Sequence, residues 1–144
     1  MRIPDKFYRQ IVDHARRGKP NEVCGLIAGR DSTVLKLYQT TNNDPLPRVR
    51  YNIEPLELLR VLREIEDNGW RLLAIYHSHP MTRAYPSATD IGLAYYPDAV
   101  YIIVSLADET PVVGAFKIVD GEIEEHDLVV EPEEETVSGT AQVG

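Results

Sequence analysis

Two histidines one residue apart, His77 and His79, are followed after seven intervening residues by Ser87 and then Asp90, in the run HSHPMTRAYPSATD. On a strand, residues i and i+2 face the same side, so both imidazoles can be presented to one point. Imidazole nitrogens hold Zn²⁺ at about 2.0–2.1 Å, and a carboxylate oxygen is a usual further ligand. Asp90 can supply that oxygen if the segment from Pro80 to Pro86 folds back beside the strand. Three protein ligands leave a fourth position for water, the arrangement of a catalytic rather than a closed structural site. The metal would bring the pKa of that water toward about 7.

Hydrolysis then needs a base, and Glu22 is the candidate. It stands immediately before the apolar run Val23 to Ala28, where a carboxylate at a strand's entrance can lean over the end of a neighbouring strand. A carboxyl near a dry pocket can have its pKa adjusted for moving a proton to a leaving amine. Ser87 could donate a hydrogen bond to the oxyanion formed at the attacked carbonyl. Plainer readings stand beside these. A His-x-His pair is often structural or simply exposed. Ser87-x-x-Asp90 is also a capping-box pattern, a role compatible with metal binding because a capped helix is a rigid holder. An isolated Glu is usually a solvated loop residue. Cys24 reads as a small core residue, and His14 and His126 as surface positions.

Several elements must position these groups. Ile3 to Arg17 has the apolar spacing of an amphipathic helix, with Phe7, Ile11 and Ala15 inward and Gly18 past its end. Val23 to Ala28 reads as a buried strand, turning through Gly29 to Asp31 into a second at Ser32 to Thr40. Thr41 to Pro47 is a loop, and Val49 to Ile53 has strand character. Pro55 to Asn68 reads as a helix with Leu56, Leu59, Leu62 and Ile65 as its apolar row. Leu72 to Tyr76 is a buried strand running into the histidines, and Ser87 to Ala94 a short helix. Ala99 to Leu106 suits a central strand. Val112 to Val119 and Ile123 to Val130 form a hairpin around Asp120-Gly121. Helices mixed with strands in this way predict an α/β sandwich around a mixed sheet.

The chain has 144 residues, 43% of them apolar, enough for one domain with one core. No apolar run approaches the roughly 18–20 residues that span a bilayer. The N-terminus MRIPDKFYRQ lacks a signal-peptide core, and the single cysteine, Cys24, allows no internal disulfide, so a cytoplasmic protein is expected. The net charge of -8 is unevenly placed: Asp120 to Glu135 holds nine acidic residues and no Lys or Arg, while the first 119 residues are nearly balanced. With no basic face, nucleic acid is not an expected partner. Residues 1–130 read as the folded domain, and residues 131–144 as an acidic tail expected to be disordered.

HSHP with its spacing to Ser87 and Asp90 resembles the JAMM motif of the MPN-domain metalloproteases, and PNEVCGLIAG resembles the segment carrying that family's catalytic glutamate. The resemblance runs from about Ile3 to Val130. It implies one Zn²⁺ per chain on His77, His79 and Asp90, Glu22 as acid and base, and Ser87 supporting the tetrahedral intermediate. It also implies a cytidine-deaminase-like α/β sandwich, with a mixed central β-sheet flanked by helices. Family members cleave after the C-terminal Gly-Gly of ubiquitin or ubiquitin-like proteins. The compact chain is similar to small stand-alone prokaryotic members. Some of these release cysteine from a ubiquitin-like sulfur carrier in cysteine biosynthesis, and others act as isopeptidases that free lysines from ubiquitin-like modifiers. Such members are often dimeric, so a homodimer is allowed, although no residue pattern fixes an interface.

Two other readings compete. A nucleobase deaminase would need a His-x-Glu and a Pro-Cys-x-x-Cys signature, which one cysteine cannot supply. A non-catalytic MPN interaction module would keep the fold for docking, and the complete ligand set argues against it.

Overall fold

A computed structural model of the chain describes residues 1–132, so the expected tail lies outside the described residues from position 133 onward. In chain order the elements are β1 (Arg2–Pro4), α1 (Asp5–Gly18), β2 (Cys24–Arg30), β3 (Thr33–Thr40), α2 (Pro55–Asp67), β4 (Arg71–His79), α3 (Ala88–Gly92), β5 (Val100–Ser105), β6 (Val112–Val119), β7 (Glu122–His126) and β8 (Val129–Glu131). Six strands form one sheet in the order β3-β2-β4-β5-β6-β7. Within this sheet only the β4–β5 pair is parallel, and the chain between them carries the loop and α3 that return to the end of β4. The expected mixed sheet with flanking helices is therefore present.

The alternation of side chains along the central strands separates two apolar layers. Ile27, Ala74, Tyr76, Ile102 and Val104 pack with Phe7, Ile11, Val12 and Ala15 of α1. Cys24, Leu26, Ile75, Tyr101 and Ile103 pack with Val61 and Ile65 of α2. His77 and His79 continue the second series, so the period of two that builds the core also aims both imidazoles at the α2 face. Gly25 on β2 admits the Tyr76 ring, because a Cβ there would collide with that ring and with the Tyr38 carbonyl.

Sequence and structure part company at five places. α1 begins at Asp5 rather than Ile3, because Arg2–Pro4 pairs in parallel with Val129–Glu131 as a separate two-stranded sheet. The strand expected over Ile123 to Val130 accordingly divides: β7 ends at His126, and Val129 donates its N–H to the Met1 carbonyl at 2.8 Å. On α2 the buried face is Val61 and Ile65, while Leu56 and Leu59 are exposed. A row spaced by three drifts around a helix of 3.6 residues per turn, and Leu56 and Ile65 end up on opposite sides. Val49 to Ile53 is irregular, with one bridge from Asn42 to Ile53. The Asn42 amide takes the backbone groups a strand partner would have used, donating to the Arg50 carbonyl at 2.9 Å and accepting from the Asn52 N–H at 2.9 Å. His14 is half-buried rather than on the surface, its Nδ1 2.7 Å from the Tyr76 hydroxyl.

Candidate metal centre

β4 is held by β2 as far as His77 and by β5 to its last residue. Cys24 pairs with His77 on the β2 side, and His79 pairs with Ser105 on the β5 side. The β2 ladder is then extended by a side chain: Ser78 donates its N–H to the Val23 carbonyl at 3.1 Å, and its Oγ accepts from the Val23 N–H at 2.8 Å. This double link fixes the residue after Glu22 against the residue between the two histidines. From the other side, Asn42 donates to the Glu22 carbonyl at 3.0 Å and the Glu22 N–H donates to the Pro47 carbonyl at 2.7 Å. The backbone at Glu22 is thus pinned from two directions.

Past Pro80 the loop folds back over the site. His79 Nδ1 lies 2.8 Å from the Arg83 carbonyl, which fixes that nitrogen as the N–H donor, and the Ser105 hydroxyl donates to the Thr82 carbonyl at 2.5 Å. Ser87 caps α3: its Oγ accepts from the Asp90 N–H at 3.0 Å, and its own N–H donates to Asp90 Oδ2 at 2.9 Å. The capping box is present, as its residue spacing allows, and the same Oδ2 turns toward the histidines. It is 3.0 Å from His79 Nε2 and 3.2 Å from His77 Nε2, and the two Nε2 atoms are 3.2 Å apart.

Those separations supply a fit test for a metal. Ligand atoms about 2.0–2.1 Å from a tetrahedral ion lie roughly 3.3 Å from one another. The three observed spacings are close to that edge length, and all three residues are buried. Among the described residues this is the one group of three or more His, Cys, Asp or Glu side chains that could hold a metal ion. A nitrogen–nitrogen–oxygen donor set of this kind fits zinc. A cavity of about 320 Å³ beside Arg71, Tyr95, Tyr96 and Asp98 opens at the other end of β4 and shares no residue with the cluster.

The electrostatics follow from burial and these contacts. Burial alone would raise the Asp90 carboxyl, but the hydrogen bonds from His77, His79 and the Ser87 backbone hold it far below the ordinary carboxylate range. Burial lowers His77 against the opposing pull of Asp90. At His79 burial is outweighed by Asp90, the Arg83 carbonyl and the Glu22 charge, so its pKa is raised. Glu22 is only 5% exposed. Burial pushes its carboxyl up to about 8, with His79 opposing and Asp90 and Asp44 adding to the rise. The solvated-loop reading of Glu22 therefore does not describe it. Cys24 is a buried core thiol whose pKa burial pushes up to about 11.

All five candidate residues, the spaced set His77, His79, Ser87 and Asp90 together with Glu22 before its strand, come to one end of β4. Sequence reasoning did not single out Asn42, whose only signal is its place in the turn-forming run TNNDP, nor Tyr51, which stacks on His77. Ser78, read only as a spacer, is the side chain that ties the two strands together.

Residues 4–119 match the family described as prokaryotic homologs of the JAB domain. The CysO-cysteine peptidase of Mycobacterium tuberculosis is 39% identical over 123 residues, 83% of this chain and 84% of its own. A desampylase of Haloferax volcanii is 41% identical over 101 residues, covering 66% of this chain and 73% of its own. The solution structure of a protein from Desulfitobacterium hafniense superposes with a TM-score of 0.80 at 35% identity, over 92% of this chain and 94% of that one.

Proposed function

The chain belongs to the prokaryotic JAB-domain family, and on that footing we propose that it is a zinc-dependent peptidase cleaving after the C-terminal Gly-Gly of a ubiquitin-like protein. The observation that carries the reading is the convergence of His77 Nε2, His79 Nε2 and Asp90 Oδ2 beside a buried Glu22. His77, His79 and Asp90 hold one Zn²⁺ per chain. Bound there, the ion supplies Lewis-acid polarisation of the scissile carbonyl and a water acidified toward neutral pH.

The chain's own groups do the rest. Burial sets the Glu22 carboxyl at about 8, and a cation beside it favours the ionised form. Both protonation states are therefore within reach near neutral pH, as an acid–base shuttle requires. Glu22 takes the proton of the attacking water and delivers it to the leaving amine. Ser87 Oγ spends a lone pair on the Asp90 N–H, which leaves its O–H free to donate to the oxyanion, and the residue is exposed toward solvent. Its backbone N–H meanwhile steadies the Asp90 carboxylate.

Substrate selection follows from the same end of the sheet. Leu46 and Val49, on the loop tied to Glu22, and Met81, two residues after His79, are exposed and offer an apolar rim to a folded ubiquitin-like body. Two glycines at the scissile end let an extended backbone thread between such elements. Release of cysteine from a ubiquitin-like sulfur carrier is the preferred reaction, because the relative named for a cysteine adduct aligns over more of the chain than the desampylase does. Removal of a modifier from lysine is the second reading, which the desampylase supports.

Two substrates offered in parallel test this. One is a ubiquitin-like carrier ending Gly-Gly-Cys and the other a Gly-Gly isopeptide to lysine, with products read by mass spectrometry. Cleavage after the second glycine of the cysteine adduct is expected. Cleavage of the isopeptide alone transfers the assignment to the second reading. Cleavage of neither by zinc-loaded protein leaves the non-catalytic module.

A further inference from the structure

We propose that Tyr51 is a positioning residue of the metal centre, its ring holding the His77 imidazole in place by stacking. The proposal rests on the metal-site reading above. His79 is fixed through the ring nitrogen turned away from the cluster, Nδ1 against the Arg83 carbonyl at 2.8 Å. His77 differs. Its Nε2 faces Asp90 at 3.2 Å, but its Nδ1 is buried and meets no hydrogen-bond partner among the described residues. A metal-binding histidine almost always donates its second N–H to an acceptor, which sets the orientation of the ring. Among the described residues no side chain or backbone group does this for His77.

It has a ring face instead. Tyr51 lies over His77 with centroids 4.4 Å apart and planes inclined by 22°. Turning the imidazole about its Cβ–Cγ bond would drive its edge into the tyrosine face, so the stack restricts the rotation that an Nδ1 hydrogen bond would ordinarily restrict. Tyr51 can act this way because it is itself held. It is buried, and its two chain neighbours are both bound to Asn42, Arg50 through its carbonyl at 2.9 Å and Asn52 through its N–H at 2.9 Å. The same Asn42 amide donates to the Glu22 carbonyl. One side chain thus places the stacking ring and the backbone of Glu22 together. The irregular course of residues 49–53 is what turns Tyr51 toward the site.

The test compares wild type with Tyr51→Phe, Tyr51→Leu and Tyr51→Met. Zinc dissociation constants are measured by competition with a chromophoric chelator, together with the visible absorption of the Co²⁺-substituted proteins. Thermal melting of the metal-free proteins reports folding separately. Tyr51→Phe keeps the ring and is expected to bind zinc within about twofold of wild type, with the same Co²⁺ spectrum. Tyr51→Leu and Tyr51→Met are expected to bind about tenfold more weakly, with altered Co²⁺ bands, the loss found when an outer-shell partner of a ligand is removed. Wild-type affinity and spectrum in a folded Tyr51→Leu would overturn the proposal. So would a tenfold loss in Tyr51→Phe, which would assign the effect to the hydroxyl, and this arm can overturn the proposal even if one of the aliphatic variants does not fold. A wild-type protein that binds no zinc is a different failure, that of the metal site itself.

Discussion

Glu22 is held by the fold in a place that an ordinary glutamate would avoid, and the cost should be measurable in the metal-free protein. Burial moves its carboxyl from 4.5 to about 8. At about 1.4 kcal/mol per pKa unit the full cost is at most about 5 kcal/mol, and water reaching the carboxyl reduces it to about 2–3 kcal/mol. The sign follows from proton uptake. Below about 4.5 the group is protonated in both folded and unfolded chains, and its stability contribution is fully present. Between 4.5 and 8 the unfolded chain releases the proton while the folded chain keeps it, so stability falls as pH rises. Above about 8 the loss is complete. Glu22→Gln removes the ionisation while keeping the shape. Urea unfolding in the presence of chelator, from pH 4.5 to 9, should show the variant close to wild type at the acid end and about 2–3 kcal/mol more stable at pH 8–9. A difference that does not change with pH, or a variant less stable than wild type at pH 8, would refute the claim that burial tunes this carboxyl.

Two further expectations come from groups outside the metal cluster. Asn42→Ala removes four hydrogen bonds, to Glu22, Arg50, Asp44 and Asn52, and should lower stability by roughly 2–4 kcal/mol in denaturant unfolding while reducing turnover of the folded protein; unchanged turnover would show that the loop does not position the site. His14 is shifted below 6.5, by burial first and then by Arg17, so its contribution to stability is present above about pH 6.5 and lost as pH falls through the folded value. The difference in melting temperature between wild type and His14→Gln should therefore shrink on acidification, and a constant difference would contradict this.

The chemistry was more legible in the sequence than the architecture that supports it. His77, His79, Ser87 and Asp90 are close along the chain, and local rules carry them together: the strand period of two and a capping box. Glu22 could be nominated because it precedes a strand, although its burial could not be foreseen. Asn42 and Tyr51 gave no comparable signal. Their effect depends on where a turn-rich loop lands against β4, and the side-chain amide of Asn42 stands in for a partner strand. The β1–β8 pair was hidden for a related reason. Arg2 and Val129 are neighbours only after the whole sheet has closed, and short runs at the two ends carry no periodicity that predicts a parallel pairing. On α2, spacing by three suggested the wrong face because rotation along a helix accumulates.

On the proposed function, His77, His79 and Asp90 hold a hydrolytic metal served by Glu22. Zinc content and turnover of a Gly-Gly-Cys carrier, measured together on wild type and Glu22→Gln, address it most directly. The expected result is one zinc per chain in both proteins, turnover by wild type that is lost with chelator and restored by stoichiometric zinc, and a fall of at least about a hundredfold in Glu22→Gln. Full turnover by metal-free wild type, or by zinc-loaded Glu22→Gln, would contradict it.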